Sequence, residues 1–106
     1  MTASVAVSPR VAVESRGDGA FGGRRVLGEL LVASGRRDEA AFARFYQLTS
    51  PWTYSLLRRR PGSTPDAEDA LRLVYTAIWQ RAAGFAPRQQ SAIAWLTTVI
   101  YDTVGR

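Results

Sequence analysis

The sequence predicts an all-α protein, a small helical bundle of about four helices behind a disordered N-terminal tail. Three observations lead there. Apolar residues recur at three- and four-residue spacing in four separate stretches after residue 25. Asp38, Thr64 and Ser91 stand where N-caps of three of these stretches belong, and Gly35 and Gly84 stand at the ends of two. No stretch reads as a convincing strand, and no internal repeat is present.

Residues 1–25 are rich in Ser, Gly, Val, Ala and Arg, hold no sustained period, and carry the breaks Pro9, Gly17 and Gly22-Gly23. They are expected to be a flexible tail. Its Arg24 and Arg25 suit an arm that reaches DNA, although exposed terminal arginines more often simply solubilise. The domain proper is expected over 26–106. Val26, Leu27, Leu30 and Leu31 share one face of a short first helix, with Gly35 placed to end it. Asp38 then caps a longer helix whose apolar series is Ala41, Phe42, Phe45, Tyr46, Leu48, Trp52 and Leu56. Pro51 lies inside that series and is expected to bend or interrupt it. Arg58-Arg59-Arg60 suits the C-terminal end, where cations oppose the negative pole of the helix dipole.

Pro61-Gly62-Ser63 breaks the chain, and Thr64 as N-cap with Pro65 at the first helical position restarts it. Asp66, Glu68 and Asp69 fall in the first turns, where each negative charge is favoured by ~0.3–1 kcal/mol. Ala67, Leu71, Val74 and Ile78 supply a core stripe, with Tyr75 and Trp79 as an aromatic stripe beside it. Gly84 is expected to end this helix and Phe85-Ala86-Pro87 to turn the chain. Ser91 caps the last helix, which carries Ile93, Trp95, Leu96, Val99 and Ile100.

Composition narrows the function. The chain has 106 residues, room for one small domain, and its 46% hydrophobic content is ordinary for a globular protein. It contains no Cys and no His, so disulfides, thiolate metal sites and the commonest general base are all missing. Asp66, Glu68 and Asp69 all lie at one helix start with no fourth ligand, a poor hard-metal site. No enzyme, cofactor or metal is therefore expected. The formal charge is +5 and all fourteen basic residues are arginine. By segment the charge is +2 over 1–25, +3 over 26–60, −1 over 61–83 and +1 over 84–106, so the positive charge lies mostly in the first 60 residues. No apolar run approaches the ~20 residues that cross a bilayer, and Met1 to Val7 has no basic region leading an apolar one. A cytoplasmic protein is the default expectation.

The order of these features is more specific than any one of them. Leu30-Leu31-Val32-Ala33 leads to Asp38-Glu39-Ala40-Ala41-Phe42-Ala43-Arg44-Phe45-Tyr46; Asp66-Ala67-Glu68-Asp69 follows with Trp79 downstream; Phe85, Pro87, Ser91, Trp95 and Leu96 close the series. This succession, over about residues 27–104, resembles region 2 of a bacterial sigma factor of the sigma-70 family, and within it the extracytoplasmic-function group.

The resemblance implies a part in transcription initiation. In the family, the acidic-start helix docks on the β′ clamp helices of core RNA polymerase, which here implicates Asp66, Glu68, Asp69, Arg72 and Gln80. The last loop and helix bind the promoter −10 element and hold unstacked bases, which implicates Arg88, Gln89, Gln90, Trp95, Thr98 and Tyr101. Such work needs cations for phosphates and aromatic or pocketed surfaces for bases, not covalent chemistry. Three departures accompany the resemblance. Arg72-Leu73 stands where the family usually has Gln and an acid, Tyr101-Asp102 where it usually has Arg and Asn, and at 106 residues region 4 is expected to be absent. These departures imply a truncated or degenerate region 2. The alternatives are a helical protein-interaction module, such as an anti-sigma factor decoy without DNA binding, and an inactive gene remnant.

Overall fold

The computed structural model describes the backbone of residues 24–60 and 64–105, with side chains over 25–60 and 66–105. The expected tail before Arg24, the Pro61-Gly62-Ser63 break, the Thr64 and Pro65 side chains and Arg106 lie outside the described residues. The element order is α1 (Arg24–Gly35), α2 (Glu39–Arg58), α3 (Thr64–Arg81), a 3-10 turn (Ala82–Gly84) and α4 (Ala92–Val104). Every regular element among the described residues is helical, as the apolar spacing predicts. Helix α1 starts ahead of Val26, so Arg24 and Arg25 belong to its first turn rather than to a tail.

Leu27 and Leu31 of α1 are wholly buried, and the Ser34 hydroxyl donates to the Leu30 carbonyl at 2.7 Å, so its burial leaves no unmet donor. Gly35 does not end α1 by a left-handed conformation. That backbone state falls to Arg37 (φ 71°), whose N–H donates to the Ser34 carbonyl. Gly35 is instead required by close approach: a Cβ there would lie 2.8 Å from Ala83 Cα and 2.9 Å from the Ala82 carbonyl oxygen. The last turn of α1 thus lies against the 3-10 turn, and no side chain fits between them.

Asp38 caps α2 as its position predicts, accepting the Ala41 N–H at 3.0 Å. The expected interruption at Pro51 does not occur, and α2 runs unbroken from Glu39 to Arg58. Proline removes one backbone bond, but Phe45 and Thr49 before it and Thr53 and Leu57 after it are all buried on one face. Packing on both sides of the proline holds the helix together.

A chain of hydroxyls joins α2 to α3. Thr49 Oγ1 donates to the Phe45 carbonyl at 2.8 Å, so the Tyr75 hydroxyl, 2.7 Å away, donates to Thr49 and accepts from Thr53 at 3.0 Å. Burial raises the Tyr75 phenol above its usual value of 10.0, with the two threonine bonds opposing that shift and Tyr46 adding to it.

Ser91 caps α4, accepting the Ala94 N–H at 3.1 Å. The core face of α4 is Ala92, Trp95, Leu96, Val99 and Ile100, packed with Leu27, Leu31, Val74 and Ile78 in one cluster. Arg60 reaches from beyond the end of α2 to donate to the Val104 carbonyl at 3.0 Å. Gly105, at φ 81°, turns the chain out of the helix while its N–H caps the Tyr101 carbonyl. Among the described residues no helix is long and apolar enough to cross a membrane.

Candidate functional site

Two surfaces hold the residues singled out by the sequence. The first is the outer face of α3. Ala67, Ala70, Val74 and Ile78 face the core, which leaves Asp66, Glu68, Asp69, Arg72, Leu73, Thr76 and Gln80 exposed. Arg72 pairs with Asp69 one turn earlier, so this arginine is held along its own helix. Leu73 beside it is 61% exposed, the most exposed large hydrophobic side chain among the described residues. Asp66, Glu68 and Asp69 form no metal-holding cluster; none of three or more acids exists among the described residues.

This face borders a groove of about 610 Å³ between α2 and α3, walled by Phe42, Tyr46, Tyr75 and Trp79 with Glu39 and Arg72 at its rim. Phe42 meets Trp79 edge to face at 5.1 Å, and Tyr46 meets Tyr75 at 4.8 Å. At one end the Arg37 guanidinium lies 4.7 Å over the Trp79 ring and donates to the Trp79 carbonyl at 2.7 Å. Arg37 thereby fastens the α1–α2 turn to the last turn of α3.

The second surface lies between α1, the loop after the 3-10 turn, and α4. Arg88, Gln89 and Gln90 are exposed in that loop, where the Gln89 and Gln90 N–H groups both donate to the Ala86 carbonyl. Beside them opens a cavity of about 500 Å³ with a mainly apolar wall that includes Val32, Phe85 and Pro87, and with Arg25, Glu29, Arg36, Gln90 and Ser91 as polar members. Gln90 is the one expected DNA contact that lines it. The α1 contribution was missed by sequence reasoning, because nothing local marks Arg25, Val32 and Arg36 as neighbours of a loop some fifty residues on.

Trp95 requires a correction. It is 6% exposed and meets Phe85 edge to face at 5.7 Å, so it offers no ring face to a base. Its place four positions past the Ser91 cap puts it on the buried side of α4 with Leu96 and Val99. Its part is to hold Phe85, and with it the cavity wall. Thr98 and Tyr101 do face outward, one turn apart. Tyr101, in the last turn of α4, is 43% exposed. Asp102 is paired with Arg81 at 3.3 Å, which joins α4 to the end of α3.

The succession of an acidic-face helix, a polar loop and a Trp-anchored last helix is matched by the family comparison: residues 45–104 match the Sigma-70 region 2 model. The chain belongs to the sigma-70 region 2 family. The match includes α3, the polar loop and α4, and it leaves out α1. Among curated relatives, the ECF RNA polymerase sigma factor SigK of Mycolicibacterium vanbaalenii is 36% identical over 75 residues, covering 71% of this chain and 38% of that protein. SigK of Mycobacterium tuberculosis H37Rv is 35% identical over 75 residues, covering 71% and 40% respectively. The ECF RNA polymerase sigma factor RpoE of Cereibacter sphaeroides is 33% identical over 63 residues, covering 59% and 35%. The chain thus spans about two fifths of the length of the curated relatives it matches. No solved structure matches it. In this region 2 domain both candidate surfaces fall within the matched span, except for the α1 wall of the cavity and the α2 start that borders the groove.

Proposed function

We propose that the chain acts in transcription initiation, in the cytoplasm, as a sigma region 2 domain. In this reading the outer face of α3 docks on the clamp helices of core RNA polymerase. The Arg88–Gln90 loop with α4 takes the −10 promoter strand. The observation that carries it is the cavity of about 500 Å³ beside the loop, where apolar walls stand next to a glutamine amide, a serine hydroxyl and two guanidinium groups that outnumber the one carboxylate, Glu29. An unstacked base needs that combination: apolar surface for its faces, hydrogen-bonding groups for its edge, and cations for the adjoining phosphate. Thr98 and Tyr101 extend the polar surface along α4. The Arg81 pairing of Asp102 removes much of the objection that an acid here would repel DNA.

The test is binding of the purified chain to core polymerase, and separately to single-stranded −10 DNA, at low and physiological salt. Specific binding to either supports an active region 2; binding to neither overturns it. A sharper version addresses α3. If the Arg72-Leu73 pair weakens docking, Arg72→Gln with Leu73→Glu should tighten core polymerase binding by about 30-fold or more, since a single interfacial charge pair is worth ~2–5 kcal/mol when one partner is removed. Unchanged affinity would show the contact to lie elsewhere.

One observation favours a second reading. Arg72 is engaged by Asp69 and Leu73 stands well exposed, so this part of α3 offers apolar rather than acidic surface. That suits a protein-interaction module, such as a decoy for an anti-sigma factor. Capture of a partner protein by a chain that binds neither polymerase nor DNA would favour it.

A further inference from the structure

The C-terminal half of α2 carries a basic surface for which the sequence offers only a helix-dipole role. Pro51, Tyr54, Ser55, Arg58 and Arg59 line a shallow cavity of about 380 Å³. Their spacing of three, four, seven and eight residues places them on one face of a single helix. That face turns away from the core stripe of Thr49, Thr53 and Leu57. The Arg58 guanidinium stands 5.9 Å from the centre of the Tyr54 ring, a contact that leaves its N–H edge available. Among the described residues no carboxylate pairs with Arg58 or Arg59, in contrast to Arg72 and Arg81. Between Glu39 and Asp66 the chain contains four arginines and no acid.

The helix dipole explains one or two cations in the last turn. It does not explain an acid-free stripe with a serine hydroxyl and an aromatic ring set among the arginines. Two forked donors and a hydroxyl around a shallow concavity are what a phosphodiester recognises. The stripe is also joined to the DNA-facing helix of the proposed function, because Arg60, the next residue, is bonded to the last turn of α4. Helix α4 is 13 residues long, about 20 Å at 1.5 Å per residue, so the Arg88 loop and the α2 corner stand at its two ends.

We propose that the Ser55–Arg58–Arg59 face of α2 is a phosphate-backbone site for single-stranded DNA, a second anchor for a strand held at the Arg88 loop. This site rests on the reading of the chain as a DNA-binding region 2. Its contacts are to backbone, so it adds affinity without sequence preference.

The experiment measures the affinity of the purified chain for a fluorescein-labelled single-stranded −10 oligonucleotide by anisotropy over a range of salt. For single strands each neutralised phosphate contributes about 0.7 to the slope of log affinity against log salt. Arg58→Gln with Arg59→Gln should therefore flatten the slope by about 1.4, and Arg58→Lys with Arg59→Lys should restore most of it. Ser55→Asp, an exposed change that leaves both arginines and the core in place, should weaken binding at low salt and serves if the double variant melts. A wild-type slope in the Gln pair together with unaltered binding in Ser55→Asp overturns the site while leaving the loop reading intact. Absence of wild-type binding at every salt overturns both. A slope loss that Lys does not restore, accompanied by a lowered melting temperature, marks the arginines as helix-end stabilisers and also overturns the site.

Discussion

At the scale of single residues, identity alone gave less than contact. Tyr75 reads in the sequence as one member of an aromatic stripe, yet its hydroxyl is the middle link between Thr53 and Thr49. Tyr75→Phe leaves the buried Thr53 hydroxyl without its acceptor and should destabilise the fold by about 1–3 kcal/mol in urea titrations. The phenol also sets a pH response. Its native pKa is raised by burial, whereas an unfolded tyrosine ionises near pH ~10. Below that pH both states are protonated and stability is whole. Above it the unfolded chain loses the proton first, so stability falls as pH rises from about 10 toward the native value. In Tyr75→Phe this part of the alkaline decline should vanish; an equally steep decline would place its cause elsewhere. Trp95 and Gly35 teach the same lesson. A tryptophan at a family position is equally readable as a base platform or as core, and only the Phe85 contact decides it. A glycine after an apolar stripe suggests a left-handed cap, whereas the real constraint comes from Ala82 and Ala83, nearly fifty residues away.

At the scale of elements the sequence was most readable where signals are local. The caps Asp38 and Ser91 and the apolar stripes placed α2 and α4 closely, because capping and periodicity act within a few residues. Pro51 does not interrupt α2, because its local penalty acts against the burial on either side of it. That penalty is still present in the folded helix. Pro51→Ala should restore a backbone N–H to α2 and raise the melting temperature, with a gain of about 1–3 kcal/mol. A lower melting temperature would mean that the ring packs in a way the helix needs. The ties between elements were invisible beforehand: Arg37 to Trp79, Arg60 to Val104 and Arg81 to Asp102 join residues 42, 44 and 21 positions apart. No sequence period reports such pairs.

At the scale of the whole molecule, charge is distributed by pairing rather than by count. The formal +5 understates how uneven the surface is, since the acids cluster on α3 while residues 40–65 have none. Asp102 next to a proposed DNA path is tolerable because Arg81 answers it. Replacing Asp102 with Asn should free that arginine and tighten single-stranded DNA binding a few-fold. The melting temperature should move little, as half-exposed pairs contribute only ~0–1 kcal/mol. Weaker DNA binding in Asp102→Asn would mean that the pair orients α4. The hydroxyl chain of Thr53, Tyr75 and Thr49 has a mechanical meaning at this scale. Apolar ridges permit neighbouring helices to settle one turn along, a slip of about 5.4 Å, at modest penalty. Here such a slip would break at least one of the phenol's two threonine bonds and leave a hydroxyl short of its partner in a dry interior. Helices α2 and α3 are therefore keyed like a ratchet with one tooth, and a pull on either one moves both together.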